Sequence, residues 1–174
     1  TSLTVESTFS TSDASSAIAN GGEAPNTWYY IWVIYNGTTV ASLLSTSATS
    51  PVMPSGYTYK ALVGAIFNAA TSNFRTMYQQ GNRVRHDTAF SVAVTETSMT
   101  AKVLPIPVTA KNAIFTLLVD ILGTTHYRYI HPTSSITAYS YYNDYVSTSD
   151  TDVYVQGECV IETPQTVYAM LSVG

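Results

Sequence analysis

The residues best suited to chemistry in this sequence are tyrosines in its C-terminal third. Aromatic rings stack on the C–H faces of sugars, while phenol, amide and carboxylate groups hydrogen-bond to sugar hydroxyls. Residues of these types are predicted to contact a glycan or another receptor, and the alternative is that they pack on a sheet face or between copies of the chain. The candidates are Tyr127, Tyr129, Tyr139, Tyr141, Tyr142, Asn143, Asp144 and Tyr145, of which 142–145 form the predicted exposed turn.

No catalytic or metal-binding pattern stands out. His126 and His131 are five residues apart, and an odd spacing places two strand residues on opposite faces. No G-x-S-x-G motif singles out one of the many serines as a nucleophile. Asp150 and Asp152 lie in a Ser/Thr-rich stretch and are predicted to form a turn. The sequence therefore predicts no enzyme activity, no catalytic residue, no metal and no cofactor.

The only cysteine, Cys159, excludes an internal disulfide and a cysteine-based zinc site within this sequence. It stands in an alternating apolar stretch next to Val160. A small thiol in that setting is predicted to be a buried hydrophobic side chain.

Hydroxyl groups, rather than charges, make this sequence polar. Its 174 residues include 26 threonines and 20 serines, but only 10% are charged, and the net charge is −4. Seven basic residues in an acidic chain give no surface for a phosphate backbone, so no nucleic-acid partner is predicted. The longest unbroken apolar run, Trp28–Tyr35, has eight residues, against about 20 for a spanning helix, so no membrane insertion is predicted.

Short strands account for nearly all of the apolar pattern. Thr, Val, Ile, Tyr and Trp dominate the runs, and turn residues separate them, with Asn36-Gly37 the strongest hairpin signal. This spacing predicts an all-β fold, an antiparallel β-sandwich of the jelly-roll type. The predicted strands are Leu3–Phe9, Thr27–Tyr35, Thr38–Leu44, Tyr57–Phe67, Phe74–Gln80, Arg83–His86, Thr88–Val94, Lys102–Val108, Ala113–Leu122, Thr125–Ile130, Ile136–Tyr142, Asp152–Gln156, Glu158–Glu162 and Thr166–Val173.

Two parts are predicted along the chain. Residues 1–26 form an N-terminal strand and a Ser/Ala/Gly-rich arm, and residues 27–174 form a single β-sandwich domain. The run at residues 28–35 is apolar on both faces and therefore needs cover on both. We expect Trp28, Tyr30 and Trp32 to lie at an interface between copies of the chain.

Four segments of the first half resemble a known module. They are Asn26–Asn36 (NTWYYIWVIYN), Leu44–Thr58 (LSTSATSPVMPSGYT), Lys60–Ala65 (KALVGA) and Phe74–Asn82 (FRTMYQQGN). In this order they are similar to a module of bacteriophage tail-fibre and other virion surface proteins. The resemblance covers residues 26 to about 84 and carries no catalytic motif. It implies location on the virion, contact with other virion proteins and a homotrimer.

The expected function is adhesion, as a tail-fibre head or receptor-binding domain for a host surface glycan or an outer-membrane component. Symmetric copies would turn weak single-site binding into avidity without any catalytic residue. One alternative is a structural virion component, such as a capsid decoration, head-fibre or tail protein. Another is a glycan depolymerase, which would need paired acids.

Overall fold

The computed structural model describes residues 11–12, 24–69, 74–87, 90–119, 126–135 and 153–173. All regular secondary structure in these ranges is β-strand, and antiparallel pairing dominates, which confirms the all-β prediction. No helix that could cross a bilayer occurs in the described ranges. The strands are β1 (Thr11–Ser12), β2 (Thr27–Tyr35), β3 (Val40–Ser45), β4 (Tyr59–Asn68), β5 (Met77–Gln80), β6 (Arg83–His86), β7 (Thr100–Val103), β8 (Asn112–Val119), β9 (His126–His131), β10 (Val153–Val160) and β11 (Thr166–Val173).

The chain forms two compact units, Thr1–Ala89 and Phe90–Gly174. The first contains a sheet in the order β1-β3-β2-β4 and the separate hairpin β5–β6. The second contains the pair β10–β8 and the sheet β7-β11-β9. The predicted division into an arm over 1–26 and one sandwich domain over 27–174 stays a prediction.

The turn between β2 and β3 forms where the sequence predicts it. Gly37 has a φ of +99°, which only glycine adopts readily. The Oδ1 atom of Asn36 accepts hydrogen bonds from the backbone N–H groups of Thr38 (2.9 Å) and Thr39 (2.7 Å). This side chain therefore satisfies the loop amides and fixes the register in which Tyr35 pairs with Val40.

The core of the first unit lies on one face of β2. Its buried side chains are Tyr30, Trp32, Ile34, Leu43 and Ala65. Residues 48–57, which follow β3, cover this face with Ala48, Met53 and Tyr57, and the indole N–H of Trp32 donates to the carbonyl oxygen of Ser47 (3.1 Å).

That packing accounts, within one chain, for the burial of two of the three predicted interface residues. Tyr30 and Trp32 are 3% and 5% exposed within one chain. Residues 48–57 of the same unit cover their face of β2, and an interface between copies at Trp28, Tyr30 and Trp32 stays a prediction. Trp28 is half-buried and packs against the same core. An apolar run shows that a face needs cover, but it does not show which part of the chain supplies it.

The core of the second unit draws on both of its sheets. Ala113 of β8 and Cys159 of β10 lie in one cluster with Ile130 of β9 and with Val167 and Ala169 of β11. Cys159 is 1% exposed, which confirms the prediction of a buried hydrophobic side chain. The backbone N–H of Leu104 donates to the carbonyl oxygen of Gln165 (2.7 Å), so residues 104–106 are tied to the turn before β11.

Several strand predictions differ from the structure. The predicted strands Asp152–Gln156 and Glu158–Glu162 are one strand, β10, which passes through Gly157. Residues 90–94 form no strand, and the strand predicted over Lys102–Val108 ends at Val103, since Pro105 and Pro107 cannot donate to a ladder. The predicted strands Leu3–Phe9 and Ile136–Tyr142 lie outside the described residues.

Candidate functional site

The predicted receptor tyrosines are described only in part. Tyr127 and Tyr129 both lie in β9, opposite Ser172 and Met170 of β11, and Tyr129 is half-buried. The other six candidates, Tyr139, Tyr141, Tyr142, Asn143, Asp144 and Tyr145, lie outside the described residues. Their role in receptor contact stays a prediction.

His126 and His131 lie at the two ends of β9, which pairs with β11 along its whole length. Positions 126 and 131 pair with Val173 and Tyr168 without a register shift, so their odd spacing is preserved. His131 is 8% exposed, and its Nδ1 atom lies 3.2 Å from the backbone nitrogen of Thr133 and 3.1 Å from its Oγ1. That ring nitrogen thus serves a local turn. The described ranges contain no group of three or more side chains suited to a metal ion.

Exposed tyrosines in the first unit were not among the sequence candidates. Tyr59 of β4 and Tyr78 of β5 are 65% and 66% exposed. Tyr59 pairs with Tyr35 across β2 and β4, and their ring centroids lie 6.1 Å apart. The antiparallel register brings these two rings together from positions 24 residues apart in the sequence. A search for tyrosine-rich segments cannot find such a pair.

The hairpin β5–β6 presents a mixed aromatic and basic face. Its two-residue loop is Gly81-Asn82, with a φ of +57° at Gly81, as the first position of a type II′ turn requires. The register sets Tyr78 opposite Arg85 and Gln80 opposite Arg83, and all four side chains are exposed. Because side chains alternate along a strand, these four residues share one face of the hairpin.

The opposite face of the hairpin is attached to the sheet through Gln79. The Nε2 atom of Gln79 donates to the carbonyl oxygens of Val63 and Gly81, each at 3.1 Å. Val63 is the extra residue of a β-bulge, since Ile31 pairs with Gly64 and Trp32 pairs with Leu62. A Cβ atom on Gly64 would lie 2.8 Å from Oε1 of Gln79, so glycine leaves room for this side chain.

His86, on the same attached face, packs against Trp28. The two ring centroids lie 5.5 Å apart in an edge-to-face arrangement, and Trp28 also contacts Phe67 at 5.3 Å. Burial, and then the nearby Arg75 charge, lower the pKa of His86 below 6.5, while Asp87 acts in the opposite direction. The neutral imidazole is therefore the form that suits this contact.

The basic face of the hairpin is not neutralised from within the described part of the chain. The guanidinium groups of Arg83 and Arg85 have no hydrogen bond or ion pair to another described residue. By contrast, Lys102 of the second unit forms an ion pair with Glu96, and the hydrogen bond from Lys102 lowers the pKa of that carboxyl. Two neighbouring arginines without a counter-ion are free to bind an anion.

No family model, curated protein or solved structure matches this chain. The resemblance of residues 26–84 to the phage fibre module therefore stays a prediction.

Proposed function

We propose that this chain is an adhesion domain of a bacteriophage tail fibre or a comparable virion projection. It would bind a host surface glycan or an outer-membrane component without chemical conversion. The resemblance of residues 26–84 supports this role, and so does a sequence made polar by hydroxyl groups in place of charges.

The proposed architecture is a jelly-roll-like sandwich assembled as a homotrimer with other virion proteins. The shared core of the two sheets in the second unit is what a sandwich needs. Three copies would present three equal sites, so weak individual binding would become avid on a cell surface.

The exposed tyrosines carry the proposal. Tyr59 and Tyr78 each leave about two thirds of their surface in water, although their rings are large apolar groups. Tyrosine provides a rigid contact surface at low cost in side-chain entropy, and its hydroxyl hydrogen-bonds at the same time. Exposed rings on sheet residues are therefore well placed to bind sugars or a protein receptor.

Binding of the purified chain to whole bacteria tests the function. The fluorescently labelled protein is titrated onto a panel of bacterial strains, and we expect saturable binding to at least one. The double variant Tyr59→Ala/Tyr78→Ala should weaken that binding about tenfold or more, because two aromatic contacts are lost.

Val103→Ala is the matched control, since Val103 is 71% exposed but aliphatic and lies in the second unit. It should bind like the wild type. No saturable binding to any strain would defeat the proposal, and binding to purified phage particles alone would favour the structural alternative.

A further inference from the structure

We propose that the outer face of the β5–β6 hairpin binds an acidic glycan. Arg83 and Arg85 would hold an anionic group on the sugar, and the ring of Tyr78 would stack on the sugar face. This inference rests on the proposed adhesion function and deepens it by naming the class of ligand and the surface that binds it.

Charge is the first argument for this ligand. Arg83 and Arg85 supply two of only seven basic residues in a chain of net charge −4. They are two positions apart in β6, so their Cα atoms are about 7 Å apart on one face. Like charges held side by side destabilise the free hairpin, and a bound anion would relieve that repulsion. The acid at the end of the strand, Asp87, follows His86 and forms no ion pair with either arginine.

Geometry is the second argument. The guanidinium fork matches a carboxylate or a phosphate with two parallel hydrogen bonds. Tyr78 lies directly opposite Arg85, and Gln80 lies opposite Arg83. Cross-strand neighbours have Cβ atoms about 5 Å apart, so an aromatic face, an amide and two cations cover an area the size of one or two sugar residues.

Rigidity is the third argument. An isolated two-stranded hairpin is marginally stable in water, but this one is anchored on its inner face. Gln79 ties it to the bulge at Val63, and His86 packs on Trp28. A tight turn and two anchors hold the outer face in one arrangement before any ligand arrives, which reduces the entropic cost of binding.

A glycan suits this surface better than a nucleic acid. A nucleic-acid site needs many phosphate contacts, whereas this hairpin offers two arginines in an acidic chain. A single acidic sugar needs only one anion site and one aromatic face.

Titration of the full chain with defined acidic sugars tests the proposal. The probes are trigalacturonate, sialyllactose and mannose 6-phosphate, with lactose as the neutral control, followed by calorimetry or by NMR shifts of the hairpin amides. We expect at least one acidic sugar to bind and lactose not to bind. The carboxylate and phosphate probes distinguish which anion the arginines accept.

Variants locate the site on the hairpin. Arg83→Gln/Arg85→Gln and Tyr78→Ala should each weaken binding at least about tenfold, because charge-assisted hydrogen bonds or the stacking surface are lost. Lys111→Gln removes an exposed positive charge in the second unit, and Val103→Ala removes an exposed apolar side chain there, so both should bind like the wild type. All four variants change only exposed side chains, and unchanged thermal unfolding verifies that they are folded.

Three results would overturn the inference. The first is no binding of any acidic sugar at millimolar concentration. The second is an equal loss in the Lys111→Gln variant, and the third is equally tight binding of a single-stranded DNA oligonucleotide, since either would mean non-specific attraction of anions. The cell assay separates the two proposals: wild-type binding that survives Arg83→Gln/Arg85→Gln removes the hairpin site and leaves adhesion standing. Sugar binding that depends on the two arginines, together with no binding to cells, would support the hairpin site and contradict the adhesion function.

Discussion

At the scale of single residues, burial decides which side chains can react. Cys159 lies in the core of the second unit, and burial, with the nearby Glu162 charge second, raises the pKa of its thiol to about 11. The thiolate is the reactive form, and an ordinary cysteine has a pKa of about 8.5. The folded protein therefore holds this group as an inert thiol at neutral pH.

Thiol labelling measures this effect. At pH 8 we expect Cys159 in the folded protein to react with a disulfide reagent much more slowly than free cysteine, and at the free rate in denaturant. The pKa of the thiol is higher in the folded state, so stability should fall as the pH rises above about 8.5, where the unfolded chain ionises first. The Cys159→Ala variant should give no signal, and labelling of the folded wild type at the free rate would contradict the burial.

His86 should make the stability of the first unit fall at acidic pH, whereas Cys159 acts at alkaline pH. Its pKa is lowered in the folded state, chiefly by burial, so the unfolded chain takes up a proton first as the pH drops below about 6.5. We expect the urea midpoint to fall between pH 7.5 and pH 5, and to fall less in His86→Gln, because that variant has no imidazole to protonate.

Glu96→Gln is the control for that experiment, and between pH 7.5 and pH 5 its urea midpoint should fall as much as that of the wild type. The pKa of Glu96 is lowered below 4.5 by its hydrogen bond with Lys102, so this carboxylate stays charged at both pH values. Its contribution to stability is present above its unfolded pKa and is lost only as the pH falls through the lower, folded pKa. Equal losses between pH 7.5 and pH 5 in the wild type and in His86→Gln would exclude His86 as the cause.

At the scale of elements, one side chain joins a hairpin to a sheet. The side chain of Gln79 donates hydrogen bonds to two carbonyl groups, that of Val63 in the bulge of β4 and that of Gly81 in the turn of the hairpin. Gln79→Ala should destabilise the protein by about 1–2 kcal/mol, since each hydrogen bond contributes about 1 kcal/mol net. Urea unfolding gives the size, and amide hydrogen exchange should show the loss concentrated in β5 and β6.

Gln80→Ala is the matched control, because Gln80 is the exposed neighbour on the outer face of the hairpin. It should leave stability unchanged. Gly64→Ala should repeat part of the Gln79→Ala effect, since the new Cβ would displace the Gln79 side chain. Equal exchange in Gln79→Ala and the wild type would refute the anchoring role.

The sequence predicts strands well where turn residues bound them. Thr27–Tyr35, Arg83–His86 and Thr166–Val173 match the structure residue for residue, and the first two adjoin Asn36-Gly37 and Gly81-Asn82. Errors arise where local pattern and pairing disagree. Gly157 interrupts the apolar alternation but not the strand, because β8 pairs with β10 continuously on both sides of it.

The surface sites were harder to predict, for a physical reason. Contact between Tyr35 and Tyr59 depends on the register of β2 with β4, which includes a bulge that the sequence does not reveal. The face formed by Tyr78 and Arg85 could have been predicted, since a two-residue turn at Gly81-Asn82 fixes every cross-strand pair of that hairpin. The sequence features that predict this face are the two-residue turn and the alternation of side chains along the strands, whereas the predicted receptor site rests on a cluster of tyrosines.

At the scale of the whole molecule, the proposed trimer would determine how strongly the binding sites of several copies act together. We expect light scattering after gel filtration to give about three times the chain mass of 18.8 kDa, stable on dilution, because the proposed adhesion uses symmetric copies. Arg83→Gln/Arg85→Gln, which changes only the exposed hairpin face, should give the same mass. A mass of one chain at every concentration would rule out the trimer.

The bulge at Val63 has a further consequence for how this protein behaves at high concentration. β4 lies at the edge of its described sheet, and its residues 59–63 are all exposed, with Tyr59, Leu62 and Val63 among them. An exposed edge strand can pair with the edge strand of another molecule and so lead to aggregation. A net charge of −4 gives little electrostatic repulsion between molecules to oppose this pairing. The extra residue breaks the regular spacing of the outer edge, and Gln79 occupies the carbonyl that an incoming strand would need. A single irregularity in one strand should thus make this edge a poorer template for association in concentrated solution.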